Sequence, residues 1–488
     1  MYLFRLFAAS IIILITISAQ AADPGCRLEF RIRQFEGKEV ILAHYFGDKI
    51  LVDDTLQLQA SGAFVFTSEK QLPSGMYVLV LPPENRMMDL LVTEAEQHFV
   101  LETDATRLTE DAEFKNANDN RLFYDYIQFM QAQRPEYDTL VRQLQQTEQA
   151  DRSRQAKVKL DKLQEKVKNR QDKIVEKSPT SLTAAIIRAN QELTLPSFEG
   201  DSLSVRQQQY FYQKEHYFDG VKDDPRIFTS RLFFDKTVFF LDKMTLPLPD
   251  SIKRSVSQLL HTVEPNTDAF RFYFIYVLNK YIQSKQIGMD AVYVHLVNEY
   301  VRTGKTPFLS EKDIKTLTEN AAKWEPLLAG NPAPPLQLYE LDVPGTLEKA
   351  SDADEHKRFA LKGAVNLYEV NSPFTILIFW RPGCGHCKEE MPHWVEFYRN
   401  YRDKGVEVLA IPVGTYKDMP AVADMLEKNK ATEWTNAVDP YLRSRFPTLY
   451  AVDQTPEIYI LDADKKILLR GNVSNQLDKV MDELLKMK

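Results

Sequence analysis

Apolar and polar residues alternate along residues 27–103. Leu28, Phe30 and Ile32 are interleaved with Arg27, Glu29, Arg31 and Arg33, the two-residue period of a strand with one buried face. The same pattern predicts strands at 40–46, 56–58, 64–66, 76–81, 90–92 and 99–101. Ser61-Gly62, Pro73-Ser74-Gly75 and Pro82-Pro83 punctuate them. Many short strands with such turns predict an all-β, sandwich-like domain over residues 22–105. From about residue 120 to 324 the pattern is helical. Arg121-Leu122-Phe123-Tyr124-Asp125-Tyr126-Ile127-Gln128-Phe129 opens it, and residues 137–177 are long, charged and free of Gly and Pro. Leu140, Leu144, Val158, Leu160, Leu163 and Val167 give that stretch a sparse apolar stripe, as in a solvated helical hairpin. Further helices are predicted at 182–193, 203–216, 228–241, 251–262, 269–284, 289–301 and 311–323, which makes residues 106–328 an all-α domain. Beyond 329 strands and helices alternate. Strands are predicted at 336–341, 364–370, 374–380, 406–413 and 434–438, and helices at about 386–401 and 421–428. A hairpin of 457–461 and 466–470 and a helix at 475–486 close an α/β domain over 329–488.

Composition narrows the class. A chain of 488 residues exceeds one core and is expected to hold about two to four domains. Hydrophobic content of 44% with 27% charged residues is that of a globular protein, and the net charge of −8 leaves no overall basic footprint for nucleic acid. In 137–177, too, Asp and Glu are interleaved with Lys and Arg, which favours a solvated surface over a nucleic-acid grip. The helical region is rich in aromatics, among them Tyr210, Phe211, Phe239, Phe270 and Phe274. They are expected to pack helices together; the alternative is an apolar groove for unfolded or partner polypeptide. The best linker is 327–335, Leu-Leu-Ala-Gly-Asn-Pro-Ala-Pro-Pro.

Residues 1–21 read as a secretory signal. Arg5 is the positive start, Ile11-Ile12-Ile13-Leu14-Ile15 the apolar centre and Ala19-Gln20-Ala21 the small-residue cleavage site. The mature protein is therefore expected to be exported, to the periplasm or cell envelope of a Gram-negative bacterium, soluble or held peripherally at the membrane. An exported location suits disulfide chemistry. Cys26 lies near the mature N-terminus after Asp23-Pro24-Gly25 and is read as an unpaired thiol or an intermolecular partner, with lipidation the lesser alternative.

Chemistry concentrates at Phe379-Trp380-Arg381-Pro382-Gly383-Cys384-Gly385-His386-Cys387. Two cysteines two residues apart, where a strand runs into a helix, make a redox pair. One helical turn brings their sulfurs together. Cys384 caps the helix N-terminus, where the macrodipole and free N–H groups stabilise a thiolate, and Cys387 is shielded a turn further in. With three cysteines in the chain and Cys26 far away, a four-cysteine zinc site within one chain is excluded; a mixed site with His386 or His393 stays open but has no second CxxC or paired histidines behind it. No metal or organic cofactor is needed.

These residues resemble the thioredoxin superfamily, and most closely the TlpA/ResA-like envelope thiol-disulfide oxidoreductases. Phe379-Trp380 ends the strand before the dithiol, Pro392 matches the proline that kinks the active-site helix, and Glu390 matches the acid near the buried cysteine. Thr455-Pro456 matches the cis-proline loop. One position departs: thioredoxin's buried aspartate is Ile378 here, so proton handling falls to Glu390 or water. The resemblance covers about the last third of the chain. The first part likewise resembles a small all-β domain of unknown function found ahead of TlpA-like modules. The resemblance implies dithiol–disulfide exchange on protein substrates, with an upstream redox donor. Cys384 would attack, Cys387 would resolve, Pro456 and Thr455 would meet the substrate chain, and Glu390 would move the proton. Gly385, His386 and Trp380 would tune the pair, a protonated His386 favouring the thiolate. The competing expectation is an envelope binding or assembly protein in which the redox module is accessory.

Overall fold

The computed structural model describes residues 25–146, 150–284, 286–472 and 474–486. The expected signal lies outside them. Among the described residues no helix is long and apolar enough to cross a membrane. The chain divides into two compact units, Met1–Phe240 and Leu241–Lys488.

The first unit opens with β1 (Cys26–Arg33), β2 (Glu39–Phe46), β3 (Lys49–Gln57), β4 (Phe64–Ser68), β5 (Gly75–Leu81), β6 (Arg86–Val92), β7 (His98–Asp104) and β8 (Glu113–Lys115). They form two 4-stranded sheets, ordered β4-β1-β7-β8 and β3-β2-β5-β6. The period-two pattern works as expected in β1: Cys26, Leu28 and Phe30 are fully buried while Arg27 and Arg31 are exposed. β3 runs much further than 56–58. It is an edge strand pairing with β2 alone, and its Ile50, Leu51 and Val52 are exposed, so no buried face marks it in the sequence.

Helices follow: α1 (Asn118–Gln146), α2 (Ala150–Lys177), α3 (Leu182–Asn190), α4 (Ser202–Glu215) and α5 (Arg231–Asp242). α1 and α2 form the expected hairpin, closed by a small core of Leu140, Ala156, Leu160 and Leu163. α1 starts well before residue 137 and continues through Pro135. α3 is capped twice: Ser181 Oγ accepts from Ala184 N–H, and the Asp119 carboxylate accepts from the N–H groups of Leu182 and Thr183 at 2.7 and 3.0 Å, satisfying donors that a helix start leaves free.

The second unit begins with α6 (Pro249–Val263), α7 (Thr267–Ile282), α8 (Asp290–Leu296), extended by one π turn, and α9 (Glu311–Trp324). Its aromatics are core: Tyr273, Phe274 and Tyr293 are fully buried, and Phe270 and Phe274 meet Tyr300 and Phe308 edge-on or tilted. Phe211 and Phe239, in the first unit, are instead exposed. The stretch 327–335 is no free tether. Gly330 N–H bonds Ile467 O at 2.7 Å and Ala333 N–H bonds Lys465 O at 2.8 Å, because Leu327 and Ala333 are buried against the sheet that follows.

That sheet has seven strands, β9 (Gln337–Leu341), β10 (Leu361–Asn366), β11 (Phe374–Trp380), β12 (Val406–Pro412), β13 (Thr435–Val438), β14 (Glu457–Leu461) and β15 (Ile467–Gly471), in the order β10-β9-β13-β12-β11-β14-β15. The intervening helices are α10 (Val343–Lys349), α11 (Gly385–Tyr401), α12 (Met419–Lys428), the short α13 (Phe446–Leu449) and the final α14 (Leu477–Lys486). β11 pairs in parallel with β12 and antiparallel with β14. Every residue of β11 is buried because both of its faces are covered. Ile376, Ile378 and Trp380 face a core with Cys387, Trp394 and Met481. Leu377 and Phe379 face another with Phe446, Tyr450 and Tyr459. A continuous apolar run is what a central strand of a covered sheet requires.

Candidate active site

β11 delivers the chain to the dithiol, and α11 starts immediately after it. Cys384 is the N-cap, with φ −83° and ψ 118°, and its Sγ accepts from Cys387 N–H at 3.2 Å. The same Sγ donates to Thr455 O at 3.3 Å. Thr455-Pro456 is a cis peptide at the start of β14, and β14 pairs with β11. The sheet register therefore sets the proline loop against the helix tip. Both cysteines are free thiols; Cys384 is partly exposed and Cys387 fully buried.

Residues 348–469 match the AhpC/TSA family, and residues 162–323 match a domain of unknown function, DUF5106. The match of unknown function thus falls on the helical region. The thiol-disulfide oxidoreductase ResA of Bacillus cereus is 25% identical over 104 residues, 21% of this chain and 57% of ResA. The chain therefore spans little more than half the length of such relatives. A domain of a possible thiol-disulfide isomerase from Cytophaga hutchinsonii is 30% identical, covering 33% of this chain and 99% of that one, with a TM-score of 0.27. A thioredoxin-like protein from Bacteroides caccae is 18% identical, covering 60% of this chain and 99% of that one, with a TM-score of 0.41. Residues 348–469 thus belong to a thioredoxin-like domain of AhpC/TSA type.

Within the thioredoxin-like domain the two thiols are driven apart. Burial raises Cys384, but hydrogen bonds from the Cys387 thiol and backbone N–H, the Thr455 side chain and the His386 N–H outweigh it, and the net direction is down. Burial, then the hydrogen bond with Cys384, push Cys387 up to about 11. A thiol poised to ionise thus sits at the surface, above one held protonated.

The remaining expected residues are distributed around this pair. Trp380 is fully buried, with Nε1 lacking a hydrogen-bond partner. Gly385 is the first helical residue of α11. The His386 ring is 60% exposed, and its Nδ1 lies 3.7 Å from Glu389. Its backbone N–H is what reaches the Cys384 sulfur. Glu390 has only 13% of its side chain exposed; His393 Nδ1 is 3.6 Å from Oε2, which has no hydrogen bond. Ile378 is fully buried in the core that also holds Cys387.

Three charged residues beside the site escaped the sequence reading. Glu457, next to Pro456, is 8% exposed. Burial raises its carboxyl to about 7; Arg470 opposes the rise, while Asp290 and Asp453 add to it. Arg470, on β15, pairs with Asp290 of α8, Nε to Oδ2 3.3 Å, with side chains 14% and 16% exposed. Their signal was present: an acid and a base at the ends of otherwise apolar strands. Among the described residues no group of three or more His, Cys, Asp or Glu is arranged to hold a metal ion.

Proposed function

We propose that this chain is an exported thiol-disulfide oxidoreductase that exchanges the Cys384–Cys387 dithiol with disulfides of protein substrates. The observation that carries this is the opposite displacement of the two thiols, with Cys384 at the helix tip and Cys387 buried beneath it. The Cys384 thiolate attacks a substrate sulfur, the substrate S–S bond breaks and one substrate thiolate leaves to take up a proton. Cys387 then loses its proton and attacks Cys384 Sγ. The mixed disulfide breaks, the second substrate thiol is released, and two electrons and two protons have passed to the substrate. Glu390, one helical turn from Cys387, accepts the Cys387 proton, aided by water where Ile378 offers no acid. Pro456 and Thr455 border the substrate chain. An upstream dithiol protein restores the reduced pair. Export rests on the pattern of residues 1–21, and residues 329–488 form the redox module.

The test is disulfide reduction by the full mature chain. Cys384→Ser should abolish turnover, and Cys387→Ser should accumulate mixed disulfides resolvable only by added reductant. Trapping by Cys384→Ser instead of Cys387→Ser would reverse the assignment, and wild-type inactivity towards all protein disulfides would refute the proposal.

A further inference from the structure

Beside the dithiol lies a recess of about 650 Å³. Its rim includes His386, two residues after Cys384, and Gln454, next to the Thr455 whose carbonyl accepts from Cys384. Glu390, Glu457 and Arg470 form the thioredoxin-side wall; Asp290, Tyr293 and Trp324 form the wall contributed by helices that precede that domain. A polypeptide joined to Cys384 therefore has this recess beside it.

The recess holds three carboxylates, Asp290, Glu390 and Glu457, and a single guanidinium, Arg470. Arg470 is the one guanidinium or ammonium among the described lining residues, and Asp290 already pairs with it. Glu457 is over nine-tenths buried and its carboxylate makes no hydrogen bond among the described residues. Glu390 Oε2 is also buried without a hydrogen bond, whereas Asp290 Oδ2 is held by the Arg470 ion pair. Leaving such groups unmet is unfavourable, and more so when they are charged. Arg470 Nη1 is an unmet donor in the same place, which a backbone carbonyl would satisfy. A peptide bearing a cationic side chain offers both partners. A guanidinium carries five donors in a planar fork that matches carboxylates, and the partly exposed Trp324 ring suits its stem and face. Arg470 already lies 5.8 Å over the Trp324 ring.

We propose that this recess is a substrate-specificity site that takes an arginine or lysine side chain flanking the cysteine under attack, with Glu457 and Glu390 as its acceptors. The proposal rests on the dithiol-exchange reading. It gives the preceding helices a part in substrate choice, through Asp290 and Trp324. The charged or titratable groups acting on Glu457 are Arg470 from β15, Asp290 from α8, Asp453 from the preceding loop and Tyr459 from its own strand, and Glu390 and His386 of α11, Tyr281 of α7 and Tyr293 of α8 line the same recess. The raised Glu457 carboxyl fits an acceptor awaiting a cation, and it makes the preference grow as pH rises through about 7.

The test uses the full mature chain and disulfide-linked peptides with arginine placed in turn at each position within four residues of the cysteine. Each is paired with a citrulline peptide of the same shape, and the kcat/KM ratio is read, so thiolate ionisation common to both cancels. At pH 8 the arginine peptide should be favoured about tenfold or more at one or more positions, as for a charge-assisted hydrogen bond. The ratio should shrink towards pH 6, and both the preference and its pH dependence should collapse in Glu457→Gln. Ratios within about twofold at every position in the wild type, which need no variant, would overturn the proposal, as would a full preference retained in both Glu457→Gln and Glu390→Gln. If wild type reduces neither peptide of any pair, the oxidoreductase reading itself fails, and this inference with it.

Discussion

Glu457→Gln should stabilise the second unit at alkaline pH and do so less at acidic pH. In the folded chain the Glu457 carboxyl rises from 4.5 to about 7, through burial first and the neighbouring Asp290 and Asp453 next, against Arg470. Below pH 4.5 the group is protonated folded or unfolded, so it contributes no pH dependence. Between 4.5 and 7 the unfolded chain has released the proton and the folded chain has kept it, so stability falls as pH rises. Above 7 the full cost of a buried carboxylate is present. At about 1.4 kcal/mol per pH unit, the rise corresponds to about 3 kcal/mol. Glutamine keeps the shape and removes the titration. The gain of Glu457→Gln over wild type should therefore be about 3 kcal/mol larger at pH 8 than at pH 4. Any constant change from exchanging acid for amide cancels in that difference. The assay is favourable because all 4 tryptophans, Trp324, Trp380, Trp394 and Trp434, lie in the second unit. Urea titration followed by tryptophan fluorescence reads that unit within the intact chain. A gain equal at both pH values, or larger at pH 4, would refute the buried-carboxylate account.

Other consequences are checked separately. Alkylation by iodoacetamide at neutral pH should modify Cys384 first, its ionisation midpoint lying below that of an ordinary thiol, whereas Cys387 and Cys26, both pushed up to about 11 by burial, should stay unmodified until the protein unfolds; mass spectrometry of the labelled chain decides it. His386→Pro should make the pair more reducing by roughly 30 mV or more, since proline removes both the imidazole and the N–H that reaches the Cys384 sulfur; an unchanged potential in glutathione equilibration would show that neither sets the poise. Cys26→Ser should keep exchange activity, because Cys26 is fully buried in β1 and unpaired, and loss of turnover in a folded variant would contradict that.

The sequence by itself determined the local order. Period two marked β1, β2 and β5, an unbroken apolar run marked β11, and CxxC at a strand-to-helix junction marked the dithiol and which sulfur is exposed. These are properties of neighbours along the chain: side-chain periodicity, capping and one turn of helix are settled within a few residues. β3 was mostly missed because an exposed edge strand has no buried face to register. The stretch 327–335 reads as a linker by composition, yet it hydrogen-bonds to Lys465 and to Ile467 at the start of β15, a pairing no local pattern encodes. The recess beside the dithiol was also beyond the sequence. Asp290, Glu457 and Arg470 are ordinary charges until tertiary packing removes water from them, and Asp290 is far from the others along the chain. What turned a strand-end glutamate into a carboxyl held near 7 was the low-dielectric enclosure made by α8, α11, β14 and β15 together, and only the assembled fold supplies that.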